Sequence, residues 1–158
     1  MSTTTKAERR VLTFGTLDQV MPEVDRLLER GHTTVGNWSL GQICNHLAGA
    51  FRVSVEGTPF KAPWLLRKLV APFFLRRMLK SGRMPEGVKL PESALPKPGL
   101  DARAEAEALR ASIRHYAAHT GPVADHPFFG TVGRETWERI HLIHCAHHLG
   151  YVVPDGPG

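Results

Sequence analysis

Apolar residues recur at helical spacing in four stretches of the chain. In residues 16–30, Leu17, Val20, Met21, Val24, Leu27 and Leu28 fall three and four apart, which predicts an amphipathic helix stopped by Gly31. Pro22 lies within this stretch and predicts either a kink or the true start of the helix. The run NWSLGQICNHLAGAFRVSVEG, residues 37–57, predicts a second helix. Its Ser39 and Gln42 match a capping box, in which each side chain satisfies an orphan backbone N–H. Ile43, Leu47, Ala50, Phe51 and Ser54 then line one side. Residues 101–120 are rich in strong helix formers and end at Gly121 and Pro122, with Ala104, Ala108, Ala111 and Tyr116 expected as a small-residue face. Residues 134–153 predict the last helix, anchored by Trp137, Ile140, Ile143 and Leu149 and stopped by Pro154.

The stretch between the second and third helices is less regular. PWLLRKLVAPFFLRRMLKSGRM, residues 63–84, predicts a helix broken at Pro72. PEGVKLPESALPKPG, residues 85–99, is punctuated by proline and predicts an extended connection. With four main helices, no convincing hairpin and no internal repeat, the pattern predicts an all-α fold. Its helices form a bundle with a long crossover between the second and third. Residues 1–15 read as an N-terminal tail and 16–153 as the domain.

The length of 158 residues suits one domain, and 42% apolar with 22% charged residues suits a soluble globular one. MSTTTKAERR has no apolar stretch behind its charges, so no secretory signal is predicted. The apolar run Leu69 to Leu75 is far below the roughly 20 residues that a spanning helix needs. These features predict no transmembrane segment and a cytoplasmic location. A net charge of +5 favours anionic partners but is too modest to name nucleic acid, for which no motif is present. Two cysteines make no CxxC pair and no disulfide framework.

Histidine changes the picture. Four of the nine crowd into residues 141–148. His144 and His148 are four apart, so both point from one face of the last helix and can hold one divalent ion. A third ligand from a facing helix would complete an open site, and His46, mid-helix in an apolar stretch, is the natural candidate. A hydrogen-bonded or surface role for the same histidines stays open at this level.

The run WSLGQICNHL, Trp38 to Leu47, resembles the second-helix signature of the DinB/YfiT-like superfamily. HCAHH, His144 to His148, resembles its last-helix signature, whose first and last histidines are metal ligands. HPFFG, His126 to Gly130, leading on to Trp137, is similar to one branch of that superfamily, catalogued as an uncharacterised domain. The resemblance covers roughly residues 16–153. It implies a four-helix bundle of up-down-down-up character and a three-histidine site for zinc, nickel or a similar ion. It carries ligand roles to His46, His144 and His148, and none to His141 or His147. Its characterised members include thiol transferases and a thiol-dependent isomerase, which implies a small-molecule substrate and a low-molecular-weight thiol as cosubstrate. The superfamily often has Glu where this chain has Gln42, and the basic stretch 61–83 is not part of the common motif.

Other residues compete for chemical roles. His115 and His119 are also four apart, but sit in the last turn of their helix, where histidine suits the helix dipole. Cys44 points roughly opposite to His46, and Cys145 about 100° from His144, so both read as small core residues. Asn45 and Gln42 could orient a ligand, or serve as capping or exposed groups. Lys61, Arg67, Lys68, Arg76, Arg77, Lys80 and Arg83 occur with no acidic residue between them and with apolar positions interleaved. That stretch suits a membrane-surface or anionic-partner segment, a lid over the metal pocket, or a solvated basic face. Two functions follow. One is a metal-dependent enzyme, a thiol S-transferase or hydrolase, with a pocket beside its metal. The other is a non-catalytic metal- or partner-binding module that uses 61–83. An apolar bundle face also leaves a homodimer open.

Overall fold

Burial of the apolar stripes decides the architecture. The computed structural model describes residues 8–157, of which six helices and two very short strands take the largest share. The helices are α1 (Val20–Arg30), α2 (Leu40–Glu56), α3 (Trp64–Leu69), α4 (Ala71–Ser81), α5 (Ala102–Ala118) and α6 (Arg134–Leu149). Strands β1 (His32–Thr34) and β2 (Val152–Pro154) pair antiparallel, with Thr33 opposite Val153. Among the described residues, no helix is long and apolar enough to cross a membrane.

Helices α1, α2, α5 and α6 share one core, built on Val24, Leu27, Ile43, Leu47, Phe51, Leu109, Tyr116 and Leu149. Helix α1 starts at Val20, which places Pro22 in its first turn, where a missing N–H leaves no bond unmade. Helix α2 carries the expected capping box: Gln42 N donates to Ser39 Oγ at 3.2 Å, and Ser39 N donates to Gln42 Oε1 at 2.9 Å. Helices α2 and α5 approach closely at Gly41, where a Cβ would stand 2.6 Å from the carbonyl oxygen of Leu100. A side chain there would push the two helices apart.

Three expectations change. First, the buried stripe of α5 is Ala106, Leu109, Ser112, Ile113 and Tyr116, not the alanine face. Ala104 and Ala111 face solvent, because alanine enrichment raises helix propensity without choosing a face. Second, the crossover helix breaks at Val70, before Pro72, so the proline occupies the second position of α4. Third, α6 stops at Leu149 rather than Val153. The chain leaves the helix at Gly150 and enters β2, whose pairing with β1 joins the two ends of the fold.

Residues 8–14, expected as part of a tail, pack against the end of α6, while residues 1–7 lie outside the described residues. Arg10 is the main anchor. Its N–H donates to Gly150 O at 2.8 Å, and its guanidinium reaches Leu149 O, Val152 O and Glu23 Oε1 at 3.2, 2.7 and 2.7 Å. These donors satisfy carbonyls that the helix end leaves without intrahelical partners.

Candidate metal centre

Helix α2 presents His46 and helix α6 presents His144 and His148, one turn apart, toward the same point. His144 Nε2 lies 3.0 Å from His46 Nε2 and 3.0 Å from His148 Nε2. One nitrogen from each of the three rings falls within 4.8 Å of the others. The two edges of 3.0 Å are close to the roughly 3.3–3.4 Å nitrogen separation that tetrahedral zinc–imidazole bonds of 2.0–2.1 Å require. The chemistry of the donor set points the same way. Each neutral imidazole Nε2 offers one proton or one lone pair, so His144 Nε2 cannot make well-formed hydrogen bonds to two neighbouring ring nitrogens at once. A cation on which three lone pairs converge satisfies all three. The residues present therefore fit a divalent ion.

Burial keeps these rings neutral. Desolvation, with a smaller repulsion from His147, pushes His46 down to about 4. Desolvation, followed by repulsion from His46, His147 and Arg9, pushes His148 down to about 2. His144 is lowered well below the ordinary histidine value by burial, then by the neighbouring histidines. At neutral pH all three nitrogens are free to act as ligands.

Trp38 closes one side of the cluster. Its indole stacks on His148 at 5.3 Å and 15°, and leans on His46 at 5.0 Å and 56°. It stands one residue before the Ser39 cap, so the turn that starts α2 also sets the indole over the histidines. Spacing alone assigns Trp38 no role. The only sequence signal is its place at the head of the WSLGQICNHL run.

The other candidates take structural positions. His147 turns away and accepts from Arg9 Nη2 at its Nδ1, at 3.0 Å, while the same nitrogen of Arg9 reaches His147 O at 3.0 Å. His141 is buried between Phe51 and Trp137, with ring separations of 3.9 and 5.2 Å. Ser54 Oγ donates to Phe51 O at 2.6 Å, so His141 Nε2 donates to Ser54 Oγ at 3.0 Å. Gln42 is used by the cap and by a bond from Nε2 to Pro96 O at 3.3 Å, and Asn45 donates to Glu105 Oε2 at 2.9 Å. Their bonds run to the crossover and to α5, away from the histidines. His119 is the C-cap of α5, and His115 approaches Glu56 at 3.9 Å.

Cys44 and Cys145 are fully buried. Desolvation pushes the Cys44 thiol up to about 12 and raises Cys145 as well, so neither supplies a thiolate near neutral pH. A surface depression of about 400 Å³ lies along the first half of α6, lined by Gly15, Arg134, Glu135, Glu138, Arg139 and Leu142, and none of the three histidines lines it.

No curated protein and no solved structure matches the chain. Residues 6–155 match the profile of one protein family, so that nearly the whole chain, with the histidine cluster and the helices that build it, is covered. The chain belongs to that family, described as "Protein of unknown function (DUF1569)".

Proposed function

We propose that the protein is a metal-dependent enzyme of DinB-like bundle architecture, of the thiol S-transferase or hydrolase class. His46, His144 and His148 hold one divalent ion, zinc or nickel. The convergence of three neutral imidazole nitrogens from two helices within 4.8 Å carries this reading. The arrangement of α1, α2, α5 and α6 around one core, with residues 57–101 crossing between α2 and α5, supports the architecture. A bound divalent ion supplies a Lewis acid that lowers the pKa of a coordinated water or thiol toward neutrality.

The chain's own part is to fix that centre. Three neutral ligands leave the ion its full charge, which favours an anionic nucleophile beside it. Trp38 shields the His46 and His148 faces from water, which strengthens electrostatic interactions there. The nucleophile comes from solution, because both thiols of the chain are buried and held protonated.

A second reading, a metal-binding module without turnover, is favoured by one observation. Trp38 packs directly on two of the three histidines, and none of the three lines the surface depression along α6.

Metal content of the purified, untagged protein by mass spectrometry is the test. About one equivalent of zinc or nickel is expected, lost in a His144→Ala/His148→Ala variant that keeps its helical circular dichroism. No uptake after reconstitution with several divalent ions would overturn both readings. Uptake without thiol transfer or hydrolysis across a substrate screen would select the second.

A further inference from the structure

The two crossover helices leave an apolar surface that the fold does not cover. Of the eleven large hydrophobic side chains exposed among the described residues, eight fall between Phe60 and Phe74. Trp64, Leu65, Leu69 and Phe73 are each exposed by 60% or more. Helix α4 turns Ala71, Leu75 and Met78, spaced four and three apart, inward, while Phe73 and Phe74 stand outside. The crossover is tied to the rest of the molecule through backbone groups, by Ala62 N to Pro127 O at 2.8 Å and Arg139 Nη2 to Leu79 O at 2.9 Å. Ala62, Ala71 and Met78 are buried and anchor it, so Trp64, Leu65, Leu69 and Phe73 are not needed to hold it in place.

Charge is segregated onto the same segment. Residues 61–83 hold seven of the 20 basic side chains and none of the 15 acidic ones. The remaining 13 basic residues face those 15 acids, so the rest of the chain is net −2 and the whole positive charge of the protein belongs to this crossover. Lys68 lies over the Trp64 ring at 5.4 Å, which places a cation beside an indole at the edge of the apolar patch.

We propose that α3 and α4 dock the protein onto an anionic lipid surface, as a peripheral and not a spanning contact. Exposed apolar side chains enter the acyl boundary, tryptophan takes the headgroup level, and long basic side chains reach phosphates around them. A second copy fits this face poorly, because two patches with seven cations and no anion each would repel. An acidic protein would answer the charge but gives no reason for Trp64, Leu65, Leu69 and Phe73 to stand free in one place.

The test is co-sedimentation of the full chain with phosphatidylcholine vesicles, with and without phosphatidylserine, at low and high salt. Binding is expected on the anionic vesicles, weakened by salt, and at least about tenfold weaker on the neutral ones. Arg76→Gln/Arg77→Gln should lower the anionic affinity about 25-fold, at about fivefold per charge. Trp64→Ser/Leu69→Ser should lower it about tenfold or more. Emission from the wild-type chain should shift to the blue on anionic vesicles, and the shift should be lost in Trp64→Ser/Leu69→Ser, which keeps the half-buried Trp38 and the buried Trp137. The proposal is overturned by absence of binding at low salt, by equal binding to both vesicles, or by variants that keep their helicity and bind unchanged. It is also overturned if the protein is a dimer in solution that Trp64→Ser/Leu69→Ser converts to monomer, which would assign the patch to a second copy.

Discussion

At the scale of single residues, the histidine cluster depends on a neighbour that cannot coordinate anything. Trp38 stacks on His148 and tilts over His46, and so packs against two of the three rings. Replacing Trp38 with Ala removes that contact while leaving all three histidines. Under the proposed function, partners around metal ligands are worth about 10- to 100-fold in affinity, so Trp38→Ala should speed loss of the proposed ion to a chelator by about tenfold or more. A stopped-flow chelation trace reads this directly, and an unchanged rate would reduce the indole to ordinary packing. Part of the histidine cluster was legible in the sequence because a spacing of four on a helix is a geometric statement about direction: His144 and His148 had to share a face. The placement of His46 opposite them came from its apolar surroundings and from the family resemblance. Trp38 was not legible, because an aromatic contact across two helices leaves no periodic trace. Nor was the division of labour within residues 141–148, where His141 serves the core and His147 serves Arg9.

At the scale of elements, the N-terminal turn of α2 was readable and the C-terminal end of α6 was not. The capping box at Ser39 and Gln42 is local chemistry, complete within four residues. The end of α6 is decided from a distance. Arg10 and the pairing of β2 with β1 capture the chain after Leu149, and strands of three residues lying some 120 positions apart carry no pattern that a sequence can show. Gly150 is the point of closest approach. A Cβ on it would stand 2.6 Å from Arg10 O and 3.1 Å from Ala146 O, both backbone atoms that cannot swing aside. Gly150→Ala should therefore destabilise the fold by about 1–3 kcal/mol, the usual range for forced overpacking. Urea unfolding would measure it. A midpoint equal to wild type would mean that the N-terminal segment is free to lift, and that its contacts contribute little. The α5 face was misread for a different reason: with alanine at so many positions, several helical stripes look equally small, and only the positions of Leu109, Ile113 and Tyr116 distinguish them.

At the scale of the whole molecule, the buried His141 and the half-buried His126 couple the fold to pH. Outside the histidine triad, desolvation pushes His126 down to about 4 and His141 down to about 3, with a smaller repulsion on His141 from His126. Both surround Trp137, with ring separations of 4.7 and 5.2 Å, so they sit in the packing between α6 and the loop before it. In the unfolded chain each titrates near 6.5. Above that value neither state is protonated and the pair leaves stability unchanged with pH. Below it the unfolded chain takes up protons that the folded one refuses, so stability falls as pH falls, until the folded values near 4 and 3 are reached. Each histidine contributes a slope of about 1.4 kcal/mol per pH unit within its window. Urea unfolding of the metal-free protein between about pH 7.5 and 5 should show a steep loss of stability below about 6.5. His141→Phe keeps an aromatic ring between Phe51 and Trp137 and removes one titrating group, leaving Ser54 its bond to Phe51 O. Its stability should depend less steeply on pH by about one histidine's share, even if its value at neutral pH differs from wild type. A flat profile in the wild type, or a slope untouched by His141→Phe, would show that water reaches these rings and that the core around Trp137 opens before the rest of the molecule unfolds.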